Sequence, residues 1–180
     1  IAKGATTIII DEEVQLNAQV LRLIEEHRVE LVRVADPRLV LAQFSAQSAG
    51  YPAEKLKIYG ITGTKGKTTT SFLLFHLLKL AGYKTALLST VNNYIDDEKF
   101  TAPLTTAQPD YLHQFLKLCV ERGVTHVVME IAAQALSLHR VHGIQLDGVI
   151  FTNFSLEHLE FYSDMEAYFA AKCKIFDHAK

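Results

Sequence analysis

The chain has 180 residues, 21% of them charged, and a net charge of -2, which suits one well-buried domain or one domain plus part of another. Lys and Arg are dispersed rather than gathered into a basic block, so nucleic acid is not an expected partner. The two cysteines, Cys119 and Cys173, are too far apart for a disulfide framework or zinc site and read as reduced thiols of a cytoplasmic protein. The longest apolar run, Phe72 to Leu78, is interrupted by His76 and too short to span a bilayer, and no signal-peptide pattern is present, so membrane insertion is not expected.

In chain order, Thr7–Ile10 is predicted as a strand, Val14–His27 as a helix, Val29–Ala35 as a strand, and Pro37–Ala49 as a helix started by Pro37 and stopped by Gly50. Tyr51-Pro-Ala-Glu-Lys55 carries a turn signal without periodicity, which places a domain boundary there: 1–54 and 55–180. Leu56–Ile61, Lys67–Ala81 and Lys84–Ser89 then read as strand, helix and strand, one βαβ unit. Phe72, Leu73, Phe75, Leu77 and Leu78 are assigned to the core face of that helix, and His76, His113 and His126 are read as structural.

Asn92–Lys99 is predicted as a solvated hairpin or loop, its acidic cluster a surface feature. Pro109–Arg122 is helix-like, Val124–Met129 a strand, Ala135–Val141 a short helix and Gly148–Thr152 a strand. Ser163-Asp-Met-Glu166 matches a capping box, predicting a helix from Asp164 toward His178. The alternation implies an α/β fold with a mostly parallel sheet covered on both faces, and ligands in such sheets gather beyond the carboxyl ends of the strands.

Gly60-Ile-Thr-Gly-Thr-Lys-Gly-Lys-Thr-Thr-Thr70 stands between the strand ending at Ile61 and the helix starting at Lys67. That is the layout of a phosphate-binding loop. Glycines let successive N–H groups turn inward, Lys67 adds a mobile cation, and the Thr68 hydroxyl can reach a magnesium ion beside the phosphates. The strict Walker pattern would need glycine where Ile61 stands. ATP is the expected ligand, held by Gly63, Thr64, Lys65, Gly66, Lys67, Thr68 and Thr69, with Mg2+. The other reading of the segment is a glycine-rich turn that binds nothing.

Glu130, Asn153 and His158 follow the ends of predicted strands, which brings them toward the loop. One carboxylate, one threonine hydroxyl and phosphate oxygens suit magnesium, so Glu130 is the expected partner of Thr68. Taken alone, Glu130 reads equally as a surface carboxylate, His158 as a loop histidine, and Lys172 as a helix-surface lysine.

Ile61-Thr-Gly-Thr-Lys-Gly-Lys-Thr-Thr-Thr70, Leu104-Thr-Thr106, Val128-Met-Glu-Ile131, His139-Arg-Val141, Phe151-Thr-Asn153 and Met165-Glu-Ala-Tyr-Phe-Ala-Ala-Lys172 occur in the order found in Mur ligases, which the chain resembles over nearly its whole length. The resemblance is greatest to the UDP-N-acetylmuramoyl-tripeptide synthetase branch, MurE. Asp36-Pro-Arg38 and the following helix resemble the end of that family's uridine-nucleotide-binding domain. The fold implied is a P-loop-type central domain, incomplete at Lys180, preceded by part of a small α/β domain.

The activity implied is ATP-dependent: phosphorylation of a carboxylate of UDP-N-acetylmuramoyl-L-alanyl-D-glutamate, then attack by the amine of diaminopimelate or lysine on the acyl phosphate, in peptidoglycan precursor synthesis. By the same resemblance Lys67 holds the β- and γ-phosphates, and Asn153 belongs to the nucleotide site. Thr68 with Glu130 holds one magnesium; His158 and a carbamylated Lys172 join Glu130 at a second. Thr105, Thr106 and Arg140 contact the UDP-muramoyl substrate.

Departures from the family pattern are Ala132-Ala133-Gln134 in place of Ser-Ser-His, Glu157-His158 in place of Asp-His, and Ala107-Gln108 where proline is usual. They leave two alternatives open: a different Mur or folylpolyglutamate-type ligase, or a nucleotide-binding module without ligase activity. The chain starts at Ile1 rather than Met and reads as a segment of something longer. The adenine contacts and amino-acid pocket of the family would lie beyond Lys180, so these residues alone are expected to be inactive, and monomeric.

Overall fold

The alternation of apolar strands and helices is realised in a computed structural model that describes residues 4–157 and 160–180. The chain divides into two units, Ile1–Val40 and Leu41–Lys180. In the first, β1 (Thr7–Asp11) and β2 (Glu30–Val34) pair in parallel, with Thr7 opposite Glu30, and α1 (Ala18–Glu26) connects them. The helix starts later than Val14 because the Asn17 carboxamide accepts the Val20 N–H at 2.9 Å and fixes the first turn there. The Arg33 guanidinium meanwhile holds Val14 O at 2.9 Å outside the helix.

Helix α2 (Pro37–Ser48) opens on the Asp36 carboxylate, which accepts the Arg38 and Leu39 N–H groups at 2.9 and 3.0 Å. The division between the units falls within α2, and Pro52–Lys55 form a 3-10 turn.

The second unit is built on a six-stranded sheet. Its strands are β3 (Lys57–Thr62), β4 (Thr85–Leu88), β5 (Asn92–Ile95), β6 (Glu98–Thr101), β7 (His126–Glu130) and β8 (Gly148–Phe151), in the order β6-β5-β4-β7-β3-β8. Strands β4, β7, β3 and β8 run parallel, and β5–β6 is an antiparallel hairpin at one edge. The hairpin's acids are surface groups, with Asp97 paired to Lys79 at 2.7 Å and Glu98 to Arg122.

Strand β7 inserts between β3 and β4, the two strands joined by α3 (Lys67–Leu80). The ends of β3, β7 and β8 therefore lie side by side, and the segments leaving them share one edge.

On one face Phe75 of α3 packs on Ile61, Leu87 and Val128; burying a phenyl ring this fully contributes roughly 2–3 kcal/mol. On the other, α4 (Pro109–Glu121) sets Leu112, Phe115 and Leu116 against Ile58, Val127 and Met129. The expected core face of α3 needs correction: Leu73 and Leu77 are 60% and 61% exposed and point outward. They lie four residues apart on the ridge opposite Phe75. Among the histidines, His113 and His126 are buried but His76 is exposed.

Helix α5 (Ala133–Ser137) is shorter and earlier than predicted, because His139 adopts a left-handed φ of 55° that ends it before Arg140. Helix α6 (Met165–Cys173) continues as a 3-10 turn over Lys174–His178. Its cap is Asp164 rather than Ser163: the Asp164 carboxylate accepts the Ala167 N–H at 2.7 Å, and the Ser163 hydroxyl donates to that carboxylate at 2.9 Å.

Candidate active site

The loop after β3 is held from one side by the segment after β8. The Asn153 side chain accepts the Lys65 N–H and donates to Lys65 O, both at 3.0 Å, while Asn153 O accepts the Thr64 N–H at 3.0 Å. The Thr152 hydroxyl donates to Lys65 O at 2.7 Å. This close approach requires glycine at Gly63, whose φ is +144° and where a Cβ would sit 2.0 Å from Thr152 Oγ1.

Gly66, at φ +80°, ends the loop and caps α3. The first helical hydrogen bond is from Thr70 N–H to Gly66 O. The N–H groups of Gly66, Lys67, Thr68 and Thr69 thus make no hydrogen bond among the described residues. They form a cluster of donors at the positive end of the helix dipole.

Two ammonium groups converge on this loop. Lys67 Nζ donates to Gly63 O and Thr64 O at 2.9 Å, and Lys172 Nζ, arriving from α6, donates to the same Gly63 O at 2.8 Å. The surface-lysine reading of Lys172 is overturned: the residue is 1% exposed and its ammonium lies 4.5 Å from the centre of the Tyr168 ring. Burial, with repulsion from Lys67 and against the pull of Glu157, lowers the Lys172 amine from its ordinary value to about 8. Burial also lowers the Lys67 amine, with Glu130 and Glu157 opposing.

Across from Lys67, Glu130 at the end of β7 is 0% exposed. Its carboxylate accepts the Thr68 hydroxyl at 3.0 Å on the same oxygen that accepts the Thr90 hydroxyl at 3.0 Å, and its other oxygen accepts the Thr90 N–H at 3.0 Å. Hydroxyl and carboxylate oxygens at this spacing fit a small hard cation that completes its shell with phosphate oxygens and water. No group of three or more His, Cys, Asp or Glu that could hold a metal exists among the described residues. Beside this pair lies a cavity of about 150 Å3 lined by Lys67, Thr105, Ala132, Ala133, Gln134 and Lys172.

Residues 61–180 match the Mur ligase middle domain. The chain belongs to the Mur ligase family. It is 41% identical over 177 residues to UDP-N-acetylmuramoyl-L-alanyl-D-glutamate--2,6-diaminopimelate ligase of Clostridium perfringens, covering 98% of this chain and 35% of that relative. The same-named protein of Corynebacterium efficiens is 41% identical over 175 residues, covering 97% and 32%. The chain thus spans about a third of the length of the curated relatives it matches.

Among solved structures, a UDP-N-acetylmuramoyl-L-alanyl-D-glutamate--2,6-diaminopimelate ligase superposes with a TM-score of 0.77 at 23% identity, covering 99% of this chain and 40% of that one. E. coli FolC in complex with DHPP and ADP gives 0.62 at 19%, covering 92% and 45%. At those identities the likeness is one of fold.

Within this Mur ligase chain, the residues matched to the UDP-muramoyl substrate separate. Thr105 lines the cavity, its hydroxyl 3.2 Å from that of Thr90. Thr106 is buried at 2% exposure, and Arg140 Nη1 donates to Thr106 O at 3.0 Å. Thr69 is exposed on the first turn of α3. His158 lies outside the described residues.

Sequence reasoning missed Thr90, which makes two of the three hydrogen bonds that described residues give the Glu130 carboxylate. The rule that singled out Glu130 and Asn153, a polar residue just beyond a strand end, applies equally to Thr90 after β4.

Proposed function

We propose that the chain is part of an ATP-dependent ligase that adds diaminopimelate, or lysine in its place, to UDP-N-acetylmuramoyl-L-alanyl-D-glutamate through an acyl phosphate. The observation that carries the reading is the Thr68 hydroxyl lying 3.0 Å from the Glu130 carboxylate, next to Lys67 and the open N–H groups of α3. Magnesium would be held there by Thr68 and Glu130 and would supply charge neutralisation on the phosphates. Diaminopimelate is favoured because the relatives at 41% identity are named for it.

Lys67 turns from Gly63 O and Thr64 O to the β- and γ-phosphates, since those carbonyls are reached by a flexible four-carbon stem that can swing. The remaining loop residues, Gly63, Thr64, Lys65, Gly66 and Thr69 with Asn153, form the nucleotide cradle; Thr64, Lys65 and Asn153 act by fixing its shape. Thr105, on the cavity wall, contacts the acceptor.

Lys172 is carbamylated in the working enzyme, its neutral amine adding to the carbon of dissolved carbon dioxide and releasing one proton to give the N-carboxylate. With its amine lowered to about 8, about a quarter is neutral and nucleophilic at pH 7.5, against about one part in a thousand for an ordinary lysine. The carbamate would replace a cation beside Lys67 with an anion, and with His158 and Glu130 it would hold a second magnesium. No described helix is long and apolar enough to cross a membrane; the cytoplasm is the proposed location.

Phosphate release on mixing the whole protein with ATP, magnesium, UDP-N-acetylmuramoyl-L-alanyl-D-glutamate and diaminopimelate tests the reading, with lysine as the alternative amine. Release dependent on both acceptor and amine is expected. Absence of release with either amine would overturn it in favour of a nucleotide-binding module.

A further inference from the structure

The end of β7 is held in an unusual way. Residues in a strand direct their N–H and C=O groups alternately to the two neighbours. The Ile131 N–H donates to Ile61 O at 2.8 Å, on the β3 side. Glu130 O and the Ala132 N–H therefore face the β4 side, but β4 stops opposite Met129, where Leu88 is the last paired residue. Both groups lie where a strand neighbour has run out.

Thr106 stands in for that neighbour. Its hydroxyl donates to Glu130 O at 2.9 Å and accepts the Ala132 N–H at 3.0 Å. These are the two bonds that a residue on a parallel partner strand would make with its own N–H and C=O. One hydroxyl supplies both because it carries a donor and lone pairs. Thr106 is then fixed from behind, its carbonyl accepting Arg140 Nη1 at 3.0 Å. Arg140 can do this because α5 ends before it.

We infer that Thr106 and Arg140 are positioning residues of the magnesium site, holding the Glu130 backbone so that its carboxylate meets Thr68. The inference rests on the reading of Glu130 as a magnesium ligand. Thr106 is buried, with its hydroxyl engaged on both sides, leaving Thr105 as the member of the pair that faces the cavity. The loop carrying Thr105 is thereby attached to the backbone of the metal carboxylate, so a shift at one is felt at the other. Outer groups that orient metal ligands are worth about 10–100-fold in metal affinity.

The test uses Thr106→Val, which keeps the shape and removes both bonds, Thr106→Ser, which keeps them, and Arg140→Gln, which removes the Nη1 bond to the Thr106 carbonyl. ATP-induced stabilisation is followed by thermal melting while magnesium is titrated, with EDTA as the zero point and Glu130→Gln alongside. Thr106→Val is expected to leave the ATP effect in EDTA unchanged and to raise the half-saturating magnesium concentration about tenfold, Thr106→Ser to restore it, and Arg140→Gln to shift it in the same direction by a few fold.

Parent-like magnesium dependence in Thr106→Val and Arg140→Gln, with Glu130→Gln impaired, would overturn this inference alone. Parent-like dependence in Glu130→Gln would overturn the magnesium reading beneath it. Should Thr106→Val fail to fold, Arg140→Gln decides by the same comparison.

Discussion

Replacing Lys172 by Met should stabilise the protein, although it removes a buried hydrogen bond. The amine falls from an ordinary 10.5 to about 8 on folding, and 2.5 units at 1.36 kcal/mol each amount to about 3 kcal/mol of cost for keeping the group charged. The folded value lies below the unfolded one, so between pH 8 and 10.5 the unfolded chain holds the proton more tightly. This group's contribution to stability therefore rises with pH across that window, and the full cost is present below it. Gly63 O does not lose its only donor with Lys172, because Lys67 Nζ also reaches it at 2.9 Å, and methionine fills a similar volume against Tyr168.

The expected gain at pH 7 is about 1–3 kcal/mol, or several degrees in melting temperature for a chain of this size. It should shrink toward zero near pH 10. Urea unfolding followed by circular dichroism at pH 7 and pH 10, in carbonate-free buffer, reads both quantities. A variant less stable than the parent at pH 7, or a difference that does not change with pH, would refute the reasoning.

Two glycines of the loop should respond unequally to the same change. Gly63→Ala places a methyl 2.0 Å from Thr152 Oγ1 at a φ of +144° and should cost more than about 3 kcal/mol or prevent folding. Gly66→Ala, at φ +80° with open space around it, should cost about 1–2 kcal/mol; melting of both variants checks the contrast. Burial raises the Cys119 thiol to about 12, so a maleimide at pH 8 should leave Cys119 unmodified in the folded protein and react with it in urea, read by peptide mass spectrometry.

Strand and helix identity was legible wherever the apolar period was clean, as in Val127–Met129 and Pro109–Glu121, because burial of one face decides both. The meeting of Glu130 with Thr68 was legible because strand-end positions converge in a parallel sheet. The strand order was not: β3 and β4 read as one βαβ unit, yet β7 lies between them, and no local pattern encodes which strand fills a gap. Leu73 and Leu77 failed for a related reason, since an apolar helix carries no periodic contrast to say which ridge turns inward.

Lys172 is the sharpest case. Its pattern is that of a surface residue, and only the arrival of α6 beside Gly63 buries it. Thr106 and Thr90 are ordinary polar loop residues in the sequence; their roles come from strands that end at different heights.

The central claim is that Glu130 and Thr68 share a magnesium ion with a bound triphosphate. Isothermal titration of ATP into the parent and Glu130→Gln, each with magnesium and with EDTA, tests it most directly. The glutamine can still accept the Thr90 N–H, so the fold should persist. The account predicts that magnesium tightens ATP binding in the parent by about tenfold or more, and that in Glu130→Gln the affinity is the same with magnesium as with EDTA. Equal tightening by magnesium in both proteins would contradict it.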